Sequence, residues 1–141
     1  MCVYIKSVSW EASSSHSYLE SLSVLQNCID NDVFDSVYLL GDFNADPFSG
    51  RAWQHLTNFM NANSFICHDK EMLGNGTCTF VGFSNSIPKW LDHIIGPINT
   101  NKISIGNVQV LHNVSGSDHL PLEVNIIVKE SPSDIHLFKY A

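Results

Sequence analysis

Asp42 with Asn44, Thr79, Asp92 with His93, and Asp118 with His119 are the residues of this chain whose types could do chemistry together. Attack of water on a phosphoester needs a base to deprotonate the water and a second group to orient the base. It also needs positive charge to offset what develops on the phosphate. A histidine, several aspartates and an asparagine meet those needs. Each cluster alone has a plainer reading. Gly41-Asp42-Phe43-Asn44 reads as a turn whose side chains bond their own backbone, and Asp118-His119 as a solvated loop after Ser115-Gly116-Ser117. Asp92 is harder to dismiss, because it sits in the apolar run Trp90–Ile95 and a buried carboxylate is costly without a partner. His93 beside it alternates to the opposite face, so a surface or core-edge position is expected.

The elements that must position these residues follow from periodicity. Val37-Tyr38-Leu39-Leu40-Gly41 is a continuous apolar run ending in glycine, which predicts a strand buried on both faces over 36–41 and a tight turn at Gly41. Asp42 and Asn44 are two apart, so a still-extended chain points both to one side. Val3–Val8 predicts a short strand. Ser17 with Glu20 fits a capping box, and Tyr18, Leu22, Leu25 and Ile29 recur at helical spacing, predicting a helix over 17–30. Ser49 is placed to cap a second helix from Arg51 to about Ala62, with Trp53, Leu56, Phe59 and Met60 on its apolar face. Residues 61–76 are polar, with a short apolar piece at Phe65-Ile66-Cys67. Strands are predicted over Thr77–Phe83, Trp90–Ile95, Ile103–Leu111 (weakly alternating) and Leu120–Val128, with a polar tail from Glu130. The strand–helix–strand start favours a right-handed crossover between parallel strands, with a mixed sheet equally open.

The chain has 141 residues, 44% hydrophobic and 15% charged, enough for one domain with a real core. Its net charge is −7 and Arg51 is its only arginine, which argues against tight, non-specific nucleic-acid binding. No apolar run approaches the roughly 20 residues of a membrane span, and Met1–Lys6 lacks a secretory leader's pattern. An intracellular protein, nuclear or cytoplasmic, is expected, with no membrane partner. Cys2, Cys28, Cys67 and Cys78 form no close pair, which argues against a zinc site and for buried, reduced thiols.

In order, Gly41-Asp42-Phe43-Asn44-Ala45, Thr79-Phe80, Trp90-Leu91-Asp92-His93 and Ser117-Asp118-His119-Leu120-Pro121-Leu122 resemble the endonuclease/exonuclease/phosphatase superfamily. The nearest resemblance is to the apurinic-type endonuclease domain of non-long-terminal-repeat retrotransposons. It spans residues 3–128 and rests on the combination, since each motif alone is weak. It implies an α/β fold, the C-terminal half of a two-sheet, four-layer α/β sandwich of the DNase-I-like type with a mixed sheet. It implies a Mg²⁺- or Mn²⁺-dependent phosphodiester hydrolase acting on DNA. Asp42 would orient or activate the water, Asn44 would hold the phosphate and help the metal site, and Asp118 would be a further metal or phosphate-site ligand. His119 would be the base or the transition-state stabiliser, Asp92 would hydrogen-bond His119, and Thr79 would lie at the substrate-phosphate side of the site.

The family's first half supplies an asparagine and the glutamate that is the main magnesium ligand, and no glutamate here sits in that context. The expectation is a truncated domain over 1–129 and a tail over 130–141, with a missing N-terminal half or a reverse transcriptase as partners in a full-length protein. Two alternatives stand beside the endonuclease: a small-molecule or lipid phosphodiesterase or phosphatase of the same superfamily, and an inactive truncated fragment.

Overall fold

The computed structural model describes residues 2–4, 12–31, 36–82, 86–99, 102–114 and 116–129. The tail over 130–141, most of the expected first strand and Phe83 lie outside them. Among the described residues the elements are β1 (Cys2–Tyr4), α1 (Ala12–Asn31), β2 (Leu39–Asp42), α2 (Arg51–Ala62), β3 (Phe65–Cys67), α3 (His68–Met72), β4 (Asp92–Pro97), β5 (Ile103–Val110) and β6 (Leu122–Val128).

β1, β2, β4 and β3 form a mixed sheet in that order, with β1 parallel to β2 and the other pairs antiparallel. β5 and β6 pair as a separate antiparallel hairpin. α1 and α2 cover one face of the mixed sheet, where Tyr18, Leu22 and Leu25 pack with Leu56, Phe59 and Met60 against Leu39, Phe43 and Ile95. The hairpin covers the other face, where Ile105 and Val108 meet Tyr38, Ile94 and Leu40. Helix layer, mixed sheet and second sheet are thus three layers of the expected α/β sandwich. No helix among the described residues is long and apolar enough to cross a membrane.

Several local expectations change. α1 begins at Ala12, so Ser17 lies within the helix and is no cap. Gly50, at φ 89°, occupies the N-cap of α2 without a side-chain bond, in place of Ser49. The chain does not turn at Gly41: β2 continues through it, pairing Gly41 with His93, and the left-handed residue is Asn44 at φ 48°. The polar stretch 61–76 holds both β3 and α3. Around Thr79 there is no strand ladder but two isolated bridges, from Phe80 to Lys89 and to His119. The weak alternation of β5 has a physical cause. A register shift between Ile105 and Asn107 lets Ile105 and Val108, three apart, both face inward. At the end of β6, Ile126, Ile127 and Val128 are 38–42% exposed.

The thiols do not share one environment. Cys67 is buried, Cys78 is half-buried and Cys28 is exposed, all unbridged.

Candidate active site

β2 and β4 bring two of the carboxylates together through register alone. Asp42 and Asp92 are direct cross-strand partners. The Phe43 N–H bonds the Leu91 carbonyl at 2.9 Å, which makes Asp42–Asp92 the neighbouring pair without mutual backbone bonds, where side chains approach most closely. Two like charges so placed repel unless a cation lies between them. His119, which can carry a proton, lies between them. Its Nδ1 is 2.9 Å from Asp92 Oδ2 and its Nε2 is 3.8 Å from Asp42 Oδ2.

The histidine is delivered by backbone. The His119 N–H bonds Ser117 Oγ at 3.0 Å, and the Leu120 N–H bonds the Thr79 carbonyl at 2.7 Å. The Phe80 ring stands edge-on to the imidazole, centroids 5.2 Å apart. Burial lowers the affinity of His119 for a proton. The hydrogen bond that the ring donates to Asp92, with the fields of Asp92, Asp42 and Asp118, outweighs it, so the pKa lies above the ordinary 6.5. Asp42 is raised above the usual carboxylate range, chiefly by burial and further by Asp92, against the opposing N–H of Asn44 and the nearby His119.

Asn44 joins Asp42 through a turn and not through strand alternation. Its N–H bonds Asp42 Oδ1 at 2.9 Å and its Nδ2 bonds Asp42 Oδ2 at 3.1 Å. Asn is among the few residues that adopt this left-handed backbone readily. Asp118 is half-buried beside His119, and its carbonyl accepts the Val81 N–H at 2.8 Å.

Thr79 turns its hydroxyl to the backbone beside Asp92 and not outward at the rim. It is fully buried, and its hydroxyl accepts the N–H groups of Leu91 and Asp92, each at 3.0 Å. The Asp92 N–H points away from β2, because Asp42–Asp92 is the pair without mutual backbone bonds, and Thr79 supplies the acceptor the ladder does not. Its place is behind Asp92, holding the start of β4.

His93 is fully buried and not at a surface. Alternation does send it to the face opposite Asp92, but α1 and α2 cover that face. Its Nδ1 is 2.8 Å from Asp69 Oδ2 and its Nε2 2.7 Å from the Ala45 carbonyl. The other oxygen of Asp69 accepts the Ile94 N–H at 2.7 Å and the Cys67 thiol at 3.1 Å. Burial first, then Asp69, push the Cys67 thiol far up, so it stays a protonated donor. Cys67, Asp69 and His93 place ligand atoms within 4.8 Å of one another, close enough to share a metal ion. Their polar atoms already satisfy one another, which gives this fully buried group a complete account as a hydrogen-bond network. Sequence reading missed Asp69, since Asp69-Lys70-Glu71 looks like a solvated charge run. It also missed the hydroxyl of Tyr18, which counted only as a core ring.

No family model matches the chain, nor does any curated protein. Solved structures do. An endonuclease/exonuclease/phosphatase family protein from Bacteroides thetaiotaomicron superposes with a TM-score of 0.60 at 19% identity, covering 82% of this chain and 46% of that one. A mannosyl-6-phosphatase from the same organism gives 0.58 at 19% identity, covering 79% and 46%. This chain therefore spans just under half the length of each. At such identity the likeness concerns architecture: the chain has the fold of endonuclease/exonuclease/phosphatase family structures.

Proposed function

We propose that the rim formed by β2, β4 and the loop before β6 hydrolyses a phosphoester, with His119 as the base. One observation supports this most: a single imidazole spans two carboxylates on paired strands, bonded to Asp92 and in ion-pair range of Asp42. Asp92 accepts the Nδ1–H hydrogen bond and so keeps the ring's proton on Nδ1, which leaves the Nε2 lone pair of the neutral ring facing Asp42. Water held by Asp42 is then within reach of a base whose proton affinity the carboxylates have raised. The Asn44 carboxamide, bonded to Asp42 within its turn, would hold a phosphate oxygen, and Asp118 adds to the field at His119.

Asp42, Asn44 and Asp118 offer hard oxygen donors, and a cation would offset the burial and the Asp92 charge that raise Asp42. The residues present thus fit Mg²⁺ or Mn²⁺ in donor type, and these three would hold it. The rim does not place three His, Cys, Asp or Glu ligand atoms within 4.8 Å among the described residues, so waters or further ligands would complete the shell, as Mg²⁺ commonly has it. When bound, the cation would supply charge neutralisation at the phosphate.

For substrate, the motif wording favours DNA, in the manner of a retroelement endonuclease. The net charge of −7 and the single arginine favour a small phosphoester, as does the likeness to a mannosyl-6-phosphatase. Nicking of supercoiled plasmid and release of 4-nitrophenol from its mono- and diphosphate esters, with Mg²⁺ and with chelator, separate the two. Rates for the 141-residue chain are expected to be low, because the shell is incomplete. His119→Ala should cost roughly 10²- to 10⁴-fold, the usual worth of general base catalysis. Equal rates for the parent chain and His119→Ala would sink the reading, and no turnover of any substrate would leave the inactive fragment.

A further inference from the structure

Asn44 is one of two described residues other than glycine with positive φ, and it is the one at the candidate site. Its conformation is held from both sides. The carbonyl before it, on Phe43, accepts the Tyr18 hydroxyl at 3.0 Å. The carbonyl after it, on Ala45, faces His93 Nε2 at 2.7 Å. The donors come from different elements, α1 and β4, and both side chains are buried, as are Phe43 and Ala45 themselves. His93 has oxygen partners at both nitrogens, Asp69 at 2.8 Å on one side and the Ala45 carbonyl at 2.7 Å on the other. Asp69 is fixed in turn by the Ile94 N–H and the Cys67 thiol. The polar atoms of this buried pair are thus all met by partners. The His93 bond to the Ala45 carbonyl ends on the turn that carries Asp42 and Asn44.

We propose that Tyr18 and the buried Asp69–His93 pair are positioning residues, which clamp the carbonyls flanking Asn44 and so hold its carboxamide, and the Asp42 carboxylate bonded to it, in working geometry. This rests on the phosphoester reading for its purpose, but the clamp itself is testable apart from it.

The variants are Tyr18→Phe, which deletes one hydroxyl and keeps the ring, His93→Leu, which deletes the other donor, and His93→Gln, which keeps a donor near the Nε2 position. The first readout is amide hydrogen exchange at Asn44, with the core amide of Ile95 as the global reference. Removing either donor should speed exchange at Asn44 about 5- to 30-fold relative to Ile95, the factor for losing one to two hydrogen bonds' net worth. His93→Gln should restore most of the protection. The second readout is kinetic: on whichever phosphoester the parent turns over, kcat should fall by a similar factor with KM little changed. Unchanged exchange at Asn44 in Tyr18→Phe overturns the clamp, and this variant decides if His93→Leu fails to fold. A His93→Gln protein no better protected than His93→Leu also overturns it, as does a tightly held metal ion that is lost in Cys67→Ser. Should the parent turn over nothing while Asn44 responds as expected, the phosphoester reading fails and the clamp stands.

Discussion

Replacing Thr79 by valine keeps the shape of the side chain and removes one oxygen. That oxygen is the acceptor for two backbone N–H groups, of Leu91 and Asp92, each at 3.0 Å, and Thr79 is fully buried. Water cannot take its place without opening the core. Leaving a buried donor unpaired costs about 1–3 kcal/mol. Two donors, one of them only partly buried, give roughly 2–4 kcal/mol for Thr79→Val. Thr79→Ser keeps the hydroxyl and loses one methyl group, about 1 kcal/mol by analogy with Ile→Val. Urea unfolding curves of the three proteins measure both values. The Asp92 N–H is one of the orphaned groups, so Thr79→Val should also disturb His119, seen as a lower ring titration midpoint by NMR, whereas Thr79→Ser should leave it near the parent's. A Thr79→Val protein as stable as Thr79→Ser would refute the reasoning, because it would mean that the hydroxyl is not the acceptor holding the start of β4.

Asp92→Asn removes the largest influence that raises His119, so the ring should titrate at lower pH than in the parent; an unmoved or higher midpoint would contradict the pairing. The stability His119 itself contributes, measured against His119→Gln, should be fully present below about pH 6.5 and fade as pH rises through the raised folded value, since the folded state binds that proton more tightly than the unfolded chain does. For Asp42 the folded pKa is also raised, so the carboxylate is disfavoured in the fold above that value; Asp42→Asn should increase the melting temperature at pH 7 while removing hydrolysis. A fall in melting temperature would mean that His119 and Asn44 stabilise the charged form more than burial and Asp92 destabilise it. Towards a thiol-alkylating reagent under native conditions, exposed Cys28 should react first and buried Cys67 only after unfolding, which mass spectrometry of the labelled peptides can resolve.

Much of the frame was legible because burial writes itself into local pattern. Tyr18, Leu22 and Leu25 at helical spacing did become the covered face of α1, and the apolar run before Asp42 did become β2. Where reading failed, an interaction distant in sequence had replaced the local one. Ser17 fits a cap, but the helix runs through it. Thr77–Phe83 has the composition of a strand, yet Phe80 bridges singly to Lys89 and His119. Asp69-Lys70-Glu71 has the look of solvent-facing charge, yet Asp69 is enclosed, because its partners His93 and Ile94 stand 24 and 25 positions away.

The same division holds for the site. Sequence alone determined which side chains could serve: Asp42 and Asn44 after a buried strand, Asp92 inside an apolar run where it must have a partner, and Asp118-His119 in a loop. Residue type and near-neighbour spacing carry that much, since they set which groups can ionise, accept or turn. Only the tertiary structure decided who meets whom. The β2–β4 register set Asp42 opposite Asp92, and His119 arrived between them on a loop tied to Thr79. Thr79 went behind Asp92 and His93 went into the core to hold the Asn44 turn. Register and enclosure are properties of packed pairs of segments, and no single segment contains them.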